Sequence, residues 1–374
     1  MRFEKLTLRQ FRNYPLLEMP LCEGTTVLFG ENGSGKTNLL EAMHLLSLGR
    51  SHRTLQDREM VQTGQEESRV LCEARRIDGL HQVEIILQPK QKPKKRAILY
   101  GKPAHRIGDL MGHATVVMFS PEDLRIVRDG PTARRRFIDM QLSQIKPGYL
   151  NALKRYLSVL ENRNALLREQ KLAGVRDFAN LMDAWDEQLA LAAVPIIRAR
   201  RGFLKQLSEN ASREYESIAE TSREPFATRY LCAVHEDEDI AQAMLQSLQR
   251  MREEDVQRMF TYFGPQRDDL ALTLCGQDLR AFGSQGQLRT AVLSLKLGEI
   301  QLIREEMGEP PTLLLDDVFS ELDFKRRRAL IKGTEGVQTV LTCTDRKDAA
   351  EAKAEAFVRV FRKEDGSAAV ENCP

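Results

Sequence analysis

The sequence predicts an α/β fold that is interrupted by a long all-helical segment. Short apolar runs of strand length alternate with helical stretches near both ends of the chain, and turn residues separate them. Between residues 149 and 262 strand patterns nearly vanish, and leucines recur at helical spacing at positions such as Leu150, Leu153, Leu157 and Leu160. We therefore expect three parts, 1–148, 149–262 and 263–374, of which the first and third complete one α/β domain.

Composition sets outer limits on what the chain can be. Its 374 residues suffice for two compact lobes, and 42% hydrophobic with 29% charged residues is ordinary for a globular protein. The formal net charge of +2 means that a polyanion would have to be bound by local basic patches. The six cysteines form no C-x-x-C pair, so neither a zinc site nor a disulfide framework is indicated. Lacking a signal-peptide core or a membrane-spanning run, the sequence favours a cytoplasmic protein.

The segment from Gly30 to Thr37 has the pattern G-x-x-x-x-G-K-[ST], after an apolar run and before a helical stretch. In such a loop the backbone N–H groups turn towards phosphate oxygens, the lysine contacts the β- and γ-phosphates, and the final hydroxyl binds Mg²⁺. A chance match in a Gly-rich turn is the alternative, which the flanking strand and helix disfavour. The predicted nucleotide-binding residues are Gly30, Glu31, Asn32, Gly33, Ser34, Gly35, Lys36, Thr37 and Asn38.

A second apolar strand, residues 311–315, ends in two carboxylates, Asp316 and Asp317. We expect Asp316 to hold Mg²⁺ opposite Thr37, and Asp317 to orient or deprotonate the attacking water. A solvated turn is the alternative, but a phosphate loop in the same chain favours the metal site. Because these acids lie far along the chain from the loop, two halves of one nucleotide domain must close across the helical insertion.

A serine and a glycine precede the helix predicted over residues 287–307, which makes its N-terminus a second candidate anion-binding site. Ordinary helix capping is the alternative. The residues concerned are Ser284, Gln285, Gly286 and Gln287.

Basic residues cluster at several places. The run Lys92, Lys94, Lys95 and Arg96 lies on a predicted hairpin turn, where a charged tip is the simpler interpretation and phosphate contact the alternative. Three adjacent residues cannot share one helical face, so at least one of Arg134, Arg135 and Arg136 should make a specific contact or face water. The helical segment also carries basic residues that we interpret as a solvated face, namely Arg198, Arg200 and Arg201.

Taken together, these motifs resemble the ATP-binding cassette (ABC) heads of the SMC group, and in detail the RecF family of bacterial recombination mediators. The resemblance rests on the phosphate loop, on the two acids and on the segment Ser320-Glu321-Leu322-Asp323. Further similar segments span nearly the whole chain outside the helical insertion: 11–14, 119–124, 134–139, 264–270 and 282–291.

The resemblance implies an ABC/SMC-type P-loop ATPase head, with a mixed sheet, an antiparallel β subdomain and an inserted helical lobe. It implies ATP and Mg²⁺ as cofactors, and weak, DNA-stimulated ATP hydrolysis with Lys36 and Asp317 as catalytic residues. Arg12 would join the nucleotide-binding residues, whereas the sequence alone favours a solvated arginine in a turn. Ser320 and Asp323 would form the D-loop. The signature residues 284–287 of one copy would cap the γ-phosphate bound by a second copy.

The resemblance also implies partners. An ATP-dependent homodimer would grip DNA, as duplex or at single-strand/double-strand junctions, through the basic clusters at 92–96 and 134–136. It would work with RecR and RecO, and indirectly with RecA, in recombination, DNA repair, replication and the SOS response. No membrane partner is implied.

Departures from the usual cassette pattern predict slow hydrolysis. The signature is not the L-S-G-G-Q of transporters, Asp317 stands where a glutamate is usual, and residues 341–345 lack the switch histidine. A transport or metabolic ATPase without a nucleic acid partner is the main alternative, which the signature disfavours. An SMC-like nuclease partner is a third possibility, which the absence of long coiled-coil arms and of a C-x-x-C hook disfavours.

Overall fold

The computed structural model describes residues 1–146, 148–220 and 223–373 and divides into two compact units. The head unit comprises Met1–Arg125, Glu209–Phe226 and Gly283–Pro374, and the helical unit comprises Ile126–Ser208 and Ala227–Phe282. Within the described residues, no helix is both long enough and apolar enough to cross a membrane.

The strands are β1 (Arg2–Phe11), β2 (Tyr14–Pro20), β3 (Thr25–Phe29), β4 (Ser68–Arg76), β5 (Gly79–Leu87), β6 (Lys95–Leu99), β7 (Lys102–Pro103), β8 (Val116–Phe119), β9 (Phe226–Leu231), β10 (Asp269–Leu274), β11 (Gln277–Asp278), β12 (Thr312–Asp316), β13 (Thr339–Cys343), β14 (Ala356–Arg362) and β15 (Ala368–Cys373). The helices are α1 (Lys36–Leu48), α2 (Arg125–Arg128), α3 (Pro131–Ile145), α4 (Tyr149–Ala173), α5 (Phe178–Ala219), α6 (Ile240–Arg250), α7 (Arg252–Arg258), α8 (Leu279–Phe282), α9 (Gln285–Met307), α10 (Val318–Glu321) and α11 (Phe324–Gly333). Short 3-10 helices cover Asp57–Met60, Ile107–Leu110, Pro121–Leu124 and Arg346–Ala349.

The head unit is built on two six-stranded sheets, which confirms the predicted fold class. One is antiparallel, in the order β2-β1-β4-β5-β6-β7. The other is mixed, in the order β15-β14-β3-β13-β12-β8, with parallel pairing except for antiparallel β15. Because β3, β13 and β12 are parallel neighbours, their carboxyl ends lie along one edge of the sheet.

Helix α1 packs against strands of both sheets and fills the core of the head unit. Leu39, Leu40 and Met43 are fully buried in one apolar cluster with Phe3 and Leu28. Burying a side chain of this size contributes about 1.5–3 kcal/mol. The residue that begins this helix, Lys36, is therefore held in place by the packing of the turns that follow it.

The helical unit contains α3, α4, α6, α7 and most of α5. It also contains a small sheet in the order β11-β10-β9, except for Phe226 of β9, which belongs to the head unit. Helix α5 runs from Phe178 to Ala219. Met251 separates α6 from α7.

The unit boundaries differ from the expected breaks after residues 148 and 262. Helix α3 is assigned to the helical unit, where Arg134 binds Asp269 through two hydrogen bonds of 2.7 and 2.8 Å. Arg200 on α5 binds Asp139 on α3 at 2.8 Å. The loss of strand patterns, on which the expected breaks rested, carries no information about such long-range ion pairs. The three-part division stays a prediction.

Candidate nucleotide-binding site

The phosphate loop follows β3 at the sheet edge where β12 and β13 also end. In the register of the mixed sheet, Asp316 pairs with Thr342, and Cys343 pairs with Phe29, the residue before the loop. Adjacent parallel strands thus bring the loop and the two acids together.

The loop needs glycine where it leaves the strand. Gly30 has φ 150°, and a Cβ at this position would lie 2.1 Å from the carbonyl oxygen of Val360. At the other end Gly35, with φ 123°, caps α1 without any side-chain hydrogen bond to the helix. Among the described residues, no side chain therefore caps the first N–H groups of α1, which makes them suited to bind an anion.

The amine of Lys36 lies against its own loop. Its Nζ donates to the carbonyl oxygens of Gly30 and Glu31, the latter at 2.9 Å. Burial lowers the pKa of Lys36, although the nearby Asp317 carboxylate acts in the opposite direction. The side chain of Lys36 therefore lies inside the loop, on the side of Asp316 and Asp317.

The hydroxyl of Thr37 donates to Asp316 Oδ1 at 2.9 Å, and Thr342 Oγ1 donates to the same oxygen at 3.0 Å. These hard oxygen donors suit Mg²⁺, which takes one or two carboxylates and completes its shell with phosphate oxygens and water. Among the described residues no three His, Cys, Asp or Glu side chains cluster to hold a metal by themselves. The donor set therefore fits a Mg²⁺ ion that arrives with a nucleotide.

Asp317 has an unusual backbone conformation, with φ 53° in the left-handed region. Its N–H donates to Thr342 Oγ1 at 2.9 Å, and its carbonyl accepts from Ser320 Oγ at 2.7 Å. Burial, supported by the neighbouring Asp316 charge, raises the pKa of Asp317 above its ordinary value. A carboxylate with a raised pKa is a better proton acceptor than an ordinary aspartate.

Arg12 lies in the turn between β1 and β2, on the antiparallel sheet and not on the sheet of the phosphate strand. It is connected to the site by its contacts with Glu41 on α1, the helix that follows the phosphate loop. Its guanidinium donates two hydrogen bonds, of 2.8 and 2.6 Å, to the fully buried carboxylate of Glu41, and a third to Glu59 O. Burial would raise the pKa of Glu41, but hydrogen bonds from Arg12 and Ser51 outweigh it and lower the pKa.

The cavity at the loop has a volume of about 540 Å³ and contains residues that the sequence analysis did not assign to the site. Arg362, at the end of β14, donates to Gly33 O at 2.9 Å, and Arg53 donates to Asn38 Oδ1 at 2.9 Å. One signal could have assigned Arg362 and Thr342 to the site. Both lie towards the carboxyl ends of parallel strands, and these ends share one edge of the sheet.

The signature residues form a helix cap. Ser284 Oγ accepts from Gln287 N–H, and Gln287 Oε1 accepts from Ser284 N–H, which is a capping box at the start of α9. Ser284 and Gln285 are exposed. Among the described residues, none of the four from 284 to 287 lines the cavity at the phosphate loop.

Two arginines join the signature to the D-loop. Arg326 donates to Gly286 O at 2.8 Å and also binds Asp323, which caps α11. Arg289 binds the carboxylate of Glu321 at 2.6 Å. The signature, which was predicted to face a second copy, is thus held against the D-loop on one surface of the head unit.

The residues predicted to contact DNA differ in their exposure and in their ion pairs. Lys92, Lys94 and Arg96 are exposed, whereas Lys95 is paired with Asp57 at 2.7 Å. Arg134 is buried against Asp269, so its prediction as a DNA contact was wrong for this structure.

The neighbours of Arg134 differ from it. Arg135 donates to Asp268 O at 2.8 Å, and Arg136 is exposed. The interpretation of Arg200 as part of a solvated face was also wrong, because it is buried and binds Asp139.

Comparisons with known proteins agree with this geometry. Residues 2–369 match the model of the RecF/RecN/SMC N-terminal domain. The chain is 40% identical over 379 residues to the DNA replication and repair protein RecF of Symbiobacterium thermophilum, covering 100% of this chain and 99% of that protein. It is 40% identical over 341 residues to the RecF of Lachnoclostridium phytofermentans, covering 91% and 92%.

Solved structures give the same result. The structure of the recombination mediator protein RecF-ATP in the RecFOR pathway aligns with a TM-score of 0.90 and 33% identity, covering 100% of this chain and 98% of that chain. An Smc head bound to the C-terminal winged-helix domain of ScpA aligns with a TM-score of 0.59 and 16% identity, which shows the shared fold alone. By sequence and by structure, this chain belongs to the RecF family of DNA replication and repair proteins.

Proposed function

We propose that the chain is an ATP-dependent, DNA-binding recombination mediator of the RecF type. The proposal depends on one observation: the hydroxyl of Thr37 binds the carboxylate of Asp316 at an uncapped helix N-terminus. The relatives that this chain matches along its full length are RecF proteins. The RecF-ATP structure, similar over the whole chain, supports ATP as the nucleotide. These relatives give no support to a transport or metabolic ATPase.

In the proposed site the loop residues 30–38 bind the phosphates, with Lys36 at the β- and γ-phosphates. Mg²⁺, when bound, neutralises charge on the phosphates, and Thr37 and Asp316 would hold it. Asp317 orients the attacking water and accepts its proton. Because Asp317 is one methylene shorter than the usual glutamate, and residues 341–345 offer no histidine, hydrolysis is slow and serves as a switch.

The signature, Ser284 to Gln287, whose first two residues are exposed, serves a second copy of the chain. Its helix N-terminus caps the γ-phosphate that the partner's loop binds, so ATP joins two heads and hydrolysis releases them. Ser320 and Asp323 of the D-loop lie at the same interface. The exposure of Ser284, and its absence from the lining of the cavity at the loop, support this assignment.

The closed pair grips DNA, as duplex or at single-strand/double-strand junctions, and DNA stimulates its slow hydrolysis. RecR and RecO are its proposed partners, and RecA is an indirect partner. Together they act in recombination, repair, replication and the SOS response. The RecFOR pathway of the similar structure supports this assignment. Such a protein works where the bacterial chromosome lies, in the cytoplasm.

Titration of duplex DNA and of a gapped junction into the full-length protein tests this function. The titrations are run with ATP, with ADP and without nucleotide, at several salt concentrations. We expect binding that requires ATP and weakens steeply with salt, since contacts to phosphate release counterions. DNA affinity that is independent of both ATP and salt would contradict the proposal.

A further inference from the structure

A second cavity, of about 480 Å³, lies in the head unit beside the phosphate loop. It is bordered by the first half of the loop, by the segment that follows β13, and by the end of β14. Asn32, Thr344 and Arg362 line both this cavity and the one that holds the proposed nucleotide site. The two cavities are therefore neighbours with common walls, and we call the second one the flanking cavity.

Three arginines line the flanking cavity. Arg346 lies over the ring of Phe357 at 4.0 Å, and Arg359 lies over the ring of Phe361 at 5.8 Å. Arg362 donates to the carbonyl oxygen of Gly33. In the part of the chain that the structure describes, none of the three forms an ion pair, so no carboxylate neutralises their charges.

A buried hydroxyl also borders the flanking cavity. Ser34 is only 3% exposed, and its Oγ has no hydrogen-bond partner among the described residues. Buried polar groups are nearly always paired, so an unpaired hydroxyl at a cavity wall indicates a ligand that accepts a hydrogen bond. The hydroxyl and the three guanidinium groups all offer donors.

Two carboxylates, Glu31 and Asp345, share the lining. Asp345 is engaged by the backbone, because its side chain accepts from Lys347 N–H at 2.9 Å. The lining as a whole remains positively charged. Guanidinium groups bind phosphate oxygens with paired N–H donors, and this chemistry favours a small oxyanion over a neutral or cationic ligand.

We propose that the flanking cavity binds inorganic phosphate and receives the phosphate that ATP hydrolysis releases. The proposal rests on the proposed function. In hydrolysis the water oxygen bonds to the γ-phosphorus while Asp317 accepts a proton from the water. The bond between the γ-phosphorus and the β–γ bridging oxygen breaks, its electron pair stays with ADP, and ADP and phosphate result. The freed phosphate passes the common wall at Asn32, Thr344 and Arg362 and is held by Arg346, Arg359 and the Ser34 hydroxyl.

Binding of inorganic phosphate to the full-length protein tests the proposal, by calorimetry without nucleotide and with Mg²⁺ and ADP. The variants are Arg346→Gln and Arg359→Gln, whose side chains are exposed and line the flanking cavity but not the cavity at the phosphate loop. Arg198→Gln, an exposed arginine on α5, is the charge-matched control. We expect each cavity variant to weaken phosphate binding about tenfold or more, since hydrogen bonds to charged groups are lost.

The same variants should relieve inhibition of ATP hydrolysis by added phosphate, with unchanged affinity for ATP. Absence of phosphate binding to the wild type, or equal binding by wild type and both variants, would overturn the proposal. The outcome is separate from that of the proposed function. A protein that binds and hydrolyses ATP but whose variants behave like wild type refutes only the phosphate cavity, whereas failure to bind ATP refutes the function itself.

Discussion

The hydroxyl of Thr37 donates a hydrogen bond of 2.9 Å to the carboxylate of Asp316, although 279 positions separate the two residues in the chain. The contact spans the whole helical insertion in sequence, yet both residues lie in one unit. Thr37 is in the first turn of α1, directly after the loop that follows β3, and Asp316 ends β12, two places from β3 in the same sheet. The first and last parts of the chain therefore meet at the candidate nucleotide site.

Replacing Asp316 should separate the metal-dependent from the metal-independent part of nucleotide binding. We expect Asp316→Ala to lower ATP affinity in Mg²⁺ by about tenfold or more, since a ligand to the ion is lost. Affinity measured in EDTA should be nearly unchanged. A fluorescent ATP analogue measures both, with Asp237→Ala on the helical unit as a control, and equal losses in Mg²⁺ and EDTA would contradict the metal role.

The pair of Glu41 and Arg12 should stabilise the head unit. Glu41→Gln leaves Arg12 without its carboxylate and should cost about 3 kcal/mol of unfolding free energy at neutral pH, the lower end for a broken buried pair. Urea denaturation measures this, with the exposed Glu236→Gln as the matched control. A loss no larger than that of the control would show that the pair is dispensable.

The same carboxylate predicts an acid dependence. The pKa of Glu41 is lowered in the folded protein, so its contribution is present above its ordinary value of 4.5 and is lost as pH falls through the lower folded value. Glu41→Gln should therefore flatten the decline of stability between neutral and acid pH. An unchanged pH profile in the variant would contradict the assigned ionisation.

Asp317 should affect hydrolysis and not binding. Asn tolerates the left-handed backbone of this residue, so Asp317→Asn is expected to fold, bind ATP and hydrolyse it about a hundredfold or more slowly. Because the pKa of Asp317 is raised and the ionised form accepts the proton, the rate should rise with pH through a midpoint above 3.8. Single-turnover assays over pH measure both effects. A variant that hydrolyses ATP at the wild-type rate would exclude Asp317 as the base.

The basic clusters should separate into structural and DNA-binding residues. Lys92→Gln and Lys94→Gln remove exposed charges and should weaken DNA binding and reduce its dependence on salt, without changing stability. Arg134→Gln should instead destabilise the protein by about 3 kcal/mol, because Asp269 loses its buried partner. DNA titrations and thermal unfolding on all three variants distinguish the roles. An Arg134 variant of normal stability with weakened DNA binding would reverse the assignment.

Local patterns predicted the parts of the site that depend on neighbours in sequence. The strand before the loop, the helix beginning at Lys36 and the strand ending at Asp316 have the expected places, because apolar periodicity and the glycine loop determine them.

Residues that enter the site through long-range packing could not be predicted in this way. Arg362 reaches Gly33 across more than three hundred positions, and it is brought to the site by the parallel pairing of β14 with β3, which the local sequence does not specify. The pairing of Arg134 with Asp269 could not be predicted from the sequence either. An arginine cluster resembles a DNA-binding patch until the buried partner of its arginine is known. Charge patterns show how many basic residues there are, but not which of them already have a carboxylate.

The shared-ATP proposal, in which Lys36 of one copy and Ser284 of another act on one nucleotide, also makes a prediction for mixtures. Lys36→Ala and Ser284→Arg should each fail to pair alone. Mixed together they can form one intact site, from the loop of the Ser284 variant and the signature of the Lys36 variant. Partial recovery of ATP-dependent pairing in the mixture would support action between copies.

Sedimentation velocity of the wild-type protein with and without ATP and Mg²⁺ tests the central claim most directly. The account predicts a nucleotide-dependent increase from monomer to dimer mass that Ser284→Arg abolishes while it still binds ATP. A wild-type protein that binds ATP and Mg²⁺ with no change in mass, at concentrations that saturate the site, would contradict it.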